Sequence, residues 1–97
     1  MKVTSIEYIK TIRPGSSGTG ASCPDKFSVK FDDGSVRELW VDIWYLPIDY
    51  IKKTFIKDFK ERFGKACENI EEAYRMYVKI IANRSCPWTE KEILAAN

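Results

Sequence analysis

The chain has no histidine. That absence removes the commonest general base, the commonest zinc ligand and every Ser-His-Asp or Cys-His arrangement in one step. Cysteine is scarce too. Cys23, Cys67 and Cys86 are an odd set without a C-x-x-C pair, which suits neither a disulfide framework nor a zinc site. Reduced thiols are expected, with Cys23 the most exposed and most reactive, and neither a metal nor a cofactor is expected. No run of about 18 apolar residues is present to span a membrane. No basic start followed by an apolar stretch marks a secretory signal, so the expected location is cytoplasmic. Neither charge sign dominates: 16 Lys and Arg against 14 Asp and Glu leave +2, short of the basic excess of a dedicated nucleic-acid binder.

What remains is rich in core formers. Of 97 residues, 44% are apolar and 13% aromatic, which describes a single domain over residues 1–97. A chain of this size buries only about 60% of the surface its unfolded form exposes. A partner subunit would therefore add stability, and a homo-oligomer, most simply a dimer, is expected.

Residues 2–13 carry Val3, Ile6, Tyr8, Ile9 and Ile12 among β-branched neighbours. Strict alternation fails, so the segment reads as a strand with a bulge or a change of buried face. Residues 14–25, PGSSGTGASCPD, unite turn formers with little to bury and read as a mobile loop. The glycines Gly15, Gly18 and Gly20 lack a Gly-Lys-Ser/Thr ending and lead toward a strand, so they do not make a phosphate loop.

Strands are expected over 27–32 and 35–45, joined by a tight turn. If Asp32 and Asp33 form a type I turn and Gly34 is left-handed, Phe31 pairs with Ser35, and Leu39, Val41 and Ile43 share a uniformly apolar face with Phe27 and Val29. A two-residue loop would set Glu38 and Asp42 against the phenylalanines, burying carboxylates at high cost. The three-residue loop is therefore expected.

From Pro47, apolar residues Ile48, Ile51, Phe55, Ile56, Phe59 and Phe63 recur at helical spacing until Gly64, predicting an amphipathic helix over 47–63. The pairs Asp58–Arg62 and Glu61–Lys65 add only tenths of a kcal/mol each, so packing of the phenylalanines must dominate. A second helix is predicted over 66–83, with Asn69 and Glu72 spaced as a capping box. Its apolar residues cover roughly 200° of the circumference, twice what one packed face requires. Thr89 and Glu92 form another capping box, with Trp88 and Ile93 as a hydrophobic staple, opening a short helix over 89–96. The segment Pro87–Glu92 resembles the opening of a Myb-type DNA-binding repeat over six residues. A three-stranded sheet with a packed helix also looks like the DNA-binding domains of some phage integrases. Those resemblances are too short or too general to carry a function across.

The predicted fold class is thus α+β, a three-stranded antiparallel sheet followed by two amphipathic helices and a short C-terminal helix packed on one face. Three surfaces are candidates for contact. On the third strand, Glu38, Trp40, Asp42 and Trp44 alternate with the core residues, and indoles interleaved with carboxylates suit a cationic ligand or a basic protein partner. The alternative is that these tryptophans lie under the terminal helix. On the second helix, Met76 and Ile80 at one margin and Val78 at the other suggest self-association. On the first helix, Lys53, Lys57 and Lys60 share a flank that could touch phosphates, and Lys52 lies inside the apolar arc with its head free to reach water. With no catalytic base, metal set or nucleotide motif, the leading expectation is a non-catalytic interaction module that self-associates. The runner-up is a weak nucleic-acid binder using the lysine flank.

Overall fold

The computed structural model describes residues 1–11, 24–41, 47–64, 67–84 and 87–96. Three antiparallel strands, β1 (Val3–Thr11), β2 (Asp25–Phe31) and β3 (Val36–Val41), form a sheet with β2 in the middle. A 3₁₀ turn over Ile48–Tyr50 leads into α1 (Ile51–Phe63), and α2 (Ile70–Ala82) and α3 (Glu90–Ala95) follow. The expected α+β architecture is the observed one.

The β2–β3 turn is the three-residue loop. Phe31 donates its N–H to the Ser35 carbonyl and accepts from the Gly34 N–H, and Gly34 sits at φ 87°, where a side chain would be strained. Asp33 fixes the turn, taking bonds from the Ser35 hydroxyl (2.6 Å) and N–H (2.9 Å). Those bonds favour the ionised carboxylate and hold the Asp33 pKa below its ordinary value. The resulting register sets Phe27 against Leu39 and Lys26 against Trp40. The core face is not uniformly apolar, however. Val29 faces an exposed Arg37, and Val41 faces Asp25.

β1 has its own logic. It pairs Val3 with Phe31, Ile6 with Val29, Tyr8 with Phe27 and Thr11 with Asp25, and the register slips between Val3 and Ser5 and again between Tyr8 and Lys10. Each slip inserts one residue, Thr4 and then Ile9, so the core-facing positions run 3, 6, 8, 11. That spacing is why simple alternation is missing from the sequence.

The helices lie on one side of the sheet, with α1 against β3 and α2 against β1. Phe55, Phe59 and Phe63 of α1 are buried, as the helical periodicity requires. Phe55 stacks on Tyr77 of α2 at a centroid distance of 4.7 Å, and Phe63 meets Phe31 edge-on at 5.3 Å. Such contacts add about 1 kcal/mol each to area burial. α3 packs on α2, with Ile93 buried and Trp88 half-buried against the core. The broad arc of α2 is therefore covered from three directions: by the sheet, by α1 and by α3.

Four local expectations are corrected. Asp25, assigned to the loop, begins β2 and is buried, because its carboxylate has a hydrogen-bond donor in Thr11. α1 is entered through a 3₁₀ turn rather than directly at Pro47. α2 starts at Ile70, and Asn69 makes no side-chain cap bond; its carboxamide is used elsewhere. Arg62, expected to act within its own helix, donates its Nε to the Glu38 carbonyl of β3. The Thr89–Glu92 capping box forms as expected, with both reciprocal bonds present. Of the expected loop over 14–25, residues 14–23 lie outside the described residues, as do Cys23 and Cys86.

Candidate functional site

The register of the hairpin decides what each side of β3 offers. Odd-numbered residues of β3 face the helices; Val36, Glu38 and Trp40 face away, on the side of the sheet that carries no helix among the described residues. Val36 is 60% and Trp40 43% exposed, among the largest apolar exposures of the described residues. The expected aromatic and acidic surface is thus built in part at the outer face, while Asp42 and Trp44 lie outside the described residues.

A cation occupies that surface from within the chain. Lys26, directly across from Trp40 on β2, places its Nζ 5.4 Å from the indole centroid and forms an ion pair with Glu38. The arrangement follows from geometry: Lys26 and Trp40 are cross-strand partners and Glu38 is the diagonal neighbour, all within reach of a lysine stem. This pairing was open to sequence reasoning, because the three-residue loop already implies it.

The backbone of β3 forms a second part of the site. In an antiparallel ladder, alternate residues direct both N–H and C=O away from the partner strand. With Phe31 and Ser35 the hydrogen-bonded pair that closes the turn, the outward residues of β3 are Val36, Glu38 and Trp40. Of these groups, the Glu38 carbonyl accepts a bond from Arg62 Nε at 3.1 Å. The others have no partner among the described residues. Beside this edge lies an open groove of about 230 Å³, lined by Leu39, Trp40, Asp58, Glu61 and Arg62. Its charged lining is two carboxylates, Asp58 and Glu61, and one guanidinium, Arg62, with the buried Leu39 beneath.

The other predicted surfaces fall elsewhere. Lys53, Lys57 and Lys60 are all exposed on α1, and Lys53 lies 5.5 Å over the Tyr50 ring. Lys52 is half-buried as its position demanded, with its Nζ 2.9 Å from Glu71 of α2 and 5.7 Å over Tyr74. On α2, Met76 and Ile80 are half-buried against the chain's own core. Val78 is fully buried within the chain, which removes it from any surface a second copy could touch.

One polar cluster has no counterpart in the sequence reading. Thr11 Oγ1 donates to Asp25 Oδ1 at 2.6 Å. Its single proton is then used, so the 2.7 Å contact with Tyr8 is donated by the phenol. The Arg84 guanidinium caps the arrangement, 3.4 Å from the Tyr8 ring centroid. This relay accounts for a buried carboxylate in strand β2. Among the described residues no group of His, Cys, Asp and Glu is arranged to hold a metal ion.

Comparison with protein-family models, with curated proteins and with solved structures finds no match to this chain.

Proposed function

We propose that the chain is a non-catalytic interaction module whose contact surface is the outer face of β3, and that its partner is cationic. The observation that carries this reading is Lys26 lying over Trp40 and paired with Glu38. An ammonium group is held there by an indole and a carboxylate at a surface half open to water, an arrangement that a partner's lysine or arginine could share or take over. The Glu38 carboxylate on the outer face, with those of Asp58 and Glu61 beyond the β3 edge on the helix side, disfavours phosphate, which argues against nucleic acid at this surface. The exposed flank of Lys53, Lys57 and Lys60 favours nucleic acid as a second reading, with shallow salt dependence because few phosphates would be engaged. Self-association through Met76 and Ile80 is the weaker proposal, because α3 covers the arc that suggested it.

The test is calorimetric titration with two peptides of equal length, one rich in lysine and one rich in glutamate. The lysine peptide should bind, and Trp40→Ala or Glu38→Gln should weaken it about tenfold. Equal binding of both peptides, or binding indifferent to these substitutions, would overturn the reading.

A further inference from the structure

We propose that the partner segment binds in extended form, as a fourth strand added along the edge of β3 that has no partner strand among the described residues, with a basic side chain seated in the groove beside α1. The inference rests on the reading of the Glu38 and Trp40 surface given above and specifies the ligand's backbone and charge.

Three observations carry it. The edge of β3 is regular over its six residues, and the outward N–H and C=O groups of Val36, Glu38 and Trp40 form the row that an incoming strand pairs with. The groove alongside offers a cationic side chain the exposed Glu61 carboxylate, with Asp58 beside it and Arg62, the chain's own cation, already in the lining. In an added strand, side chains alternate between the two faces of the sheet. One set would therefore enter this groove and the other would lie beside Glu38 and Trp40, so one basic segment addresses both.

The third observation is that two of the chain's own cations hold places such a ligand would take. Lys26 occupies the cation position over Trp40. Arg62 Nε donates to the Glu38 carbonyl, which is the acceptor an added strand's N–H would use. Binding exchanges one donor for another at that carbonyl, so no acceptor is stranded, and the released guanidinium remains solvated at an exposed position. Arg62 is in this view a placeholder that keeps the edge from pairing indiscriminately, a task that charged side chains commonly perform on sheet edges.

The experiment uses the full chain and a blocked synthetic peptide in which pairs of adjacent lysines are set between threonine and valine, so that lysines fall on both faces of an added strand. Two controls accompany it: glutamate in place of lysine, and N-methylation at alternate residues, which removes the edge hydrogen bonds but keeps the charge. Binding and amide exchange are followed by NMR. The lysine peptide should slow exchange at the Val36, Glu38 and Trp40 amides, N-methylation should abolish that protection, and Glu61→Lys should weaken binding about tenfold. Arg62→Ala, by opening the Glu38 carbonyl, should tighten binding about threefold or more. If the lysine peptide shifts the Trp40 indole without protecting these amides, strand addition is wrong and the cation reading stands. If the peptide binds neither the wild type nor Arg62→Ala, both are wrong. Equal protection by the glutamate peptide would overturn the assignment of a basic ligand.

Discussion

The two edges of the sheet are guarded by different means. β1 is bulged twice, at Thr4 and Ile9, and its outward backbone at Val3 is occupied completely: Asn69 Oδ1 accepts the Val3 N–H at 2.8 Å while Asn69 Nδ2 donates to the Val3 carbonyl at 2.9 Å. One carboxamide thus imitates a neighbouring strand. Cys67 Sγ donates to the same Asn69 oxygen at 3.3 Å, and the Glu68 N–H bonds to the Met1 carbonyl, so the segment before α2 is tied to β1 at several points. β3 has neither bulge nor plug within its described length, only the single bond from Arg62. Distortion and a neutral, part-buried plug close an edge permanently, whereas an exposed guanidinium on one carbonyl closes it in a way a competitor can reverse.

The largest effect that would break this contrast is expected from Asn69→Leu. Removing both bonds leaves the Val3 N–H and carbonyl part-buried and unpaired, and unfolding free energy should fall by about 2 kcal/mol. Chemical denaturation measures the loss, and faster hydrogen exchange at the Val3 amide localises it. Unchanged stability would mean that the bulges and α2 protect the edge alone. A smaller effect is expected at the turn that sets which residues of β3 face outward. Gly34→Ala meets no atom within 4 Å, so its cost is backbone strain at positive φ, about 1 kcal/mol. Should the variant also lose the Lys26–Trp40 contact, seen as a change in indole chemical shift, the register itself has moved.

The smallest effect concerns pH. The Asp33 pKa is lowered in the folded chain, first by the Ser35 hydroxyl and then by its N–H. The sign follows from linkage: the ionised form is favoured by folding, so its contribution is present above the unfolded carboxylate pKa and is lost as pH falls through the lowered folded value. A carboxyl-carbon NMR titration should place Asp33 below ordinary aspartate, and Ser35→Ala should move it back upward. Stability that rises on acidification through this range would contradict the assignment.

Much of the sheet's geometry was legible because it follows from local rules. Asp32-Asp33-Gly34 specifies its own turn, and the cost of burying Glu38 selects the register. The phenylalanines of α1 and the Thr89–Glu92 box are likewise read from spacing alone. Asn69 and Glu72 have the same spacing as Thr89 and Glu92, yet no box forms. The reason is non-local: a carboxamide offers both a donor and an acceptor, and strand β1, far away in sequence, presents both complements. A local pattern holds no information about such a rival. Asp25 was misplaced for a related reason, since its neighbours are turn formers and its stabilising hydroxyl, Thr11, belongs to another strand. Of the candidate site, Glu38 and Trp40 were found from alternation. Lys26 was implied by the register but not drawn from it, and Arg62 was assigned to its own helix when its bond is to β3.

Phe55 has a consequence for motion. Its ring is fully buried, stacked on Tyr77 at 4.7 Å and in contact with Phe59 and Tyr74 at 5.6 Å each. A half-turn of that ring sweeps volume its neighbours already fill, and close-packed interiors supply it only when several side chains shift together. Rotation of Phe55 is therefore a gauge of concerted breathing between α1 and α2, and its two ring edges should give separate proton resonances that merge only on warming. The exposed rings of Trp40 and Tyr50 have no such constraint on their outer faces. A single spectrum can thus time buried and exposed rings on separate clocks.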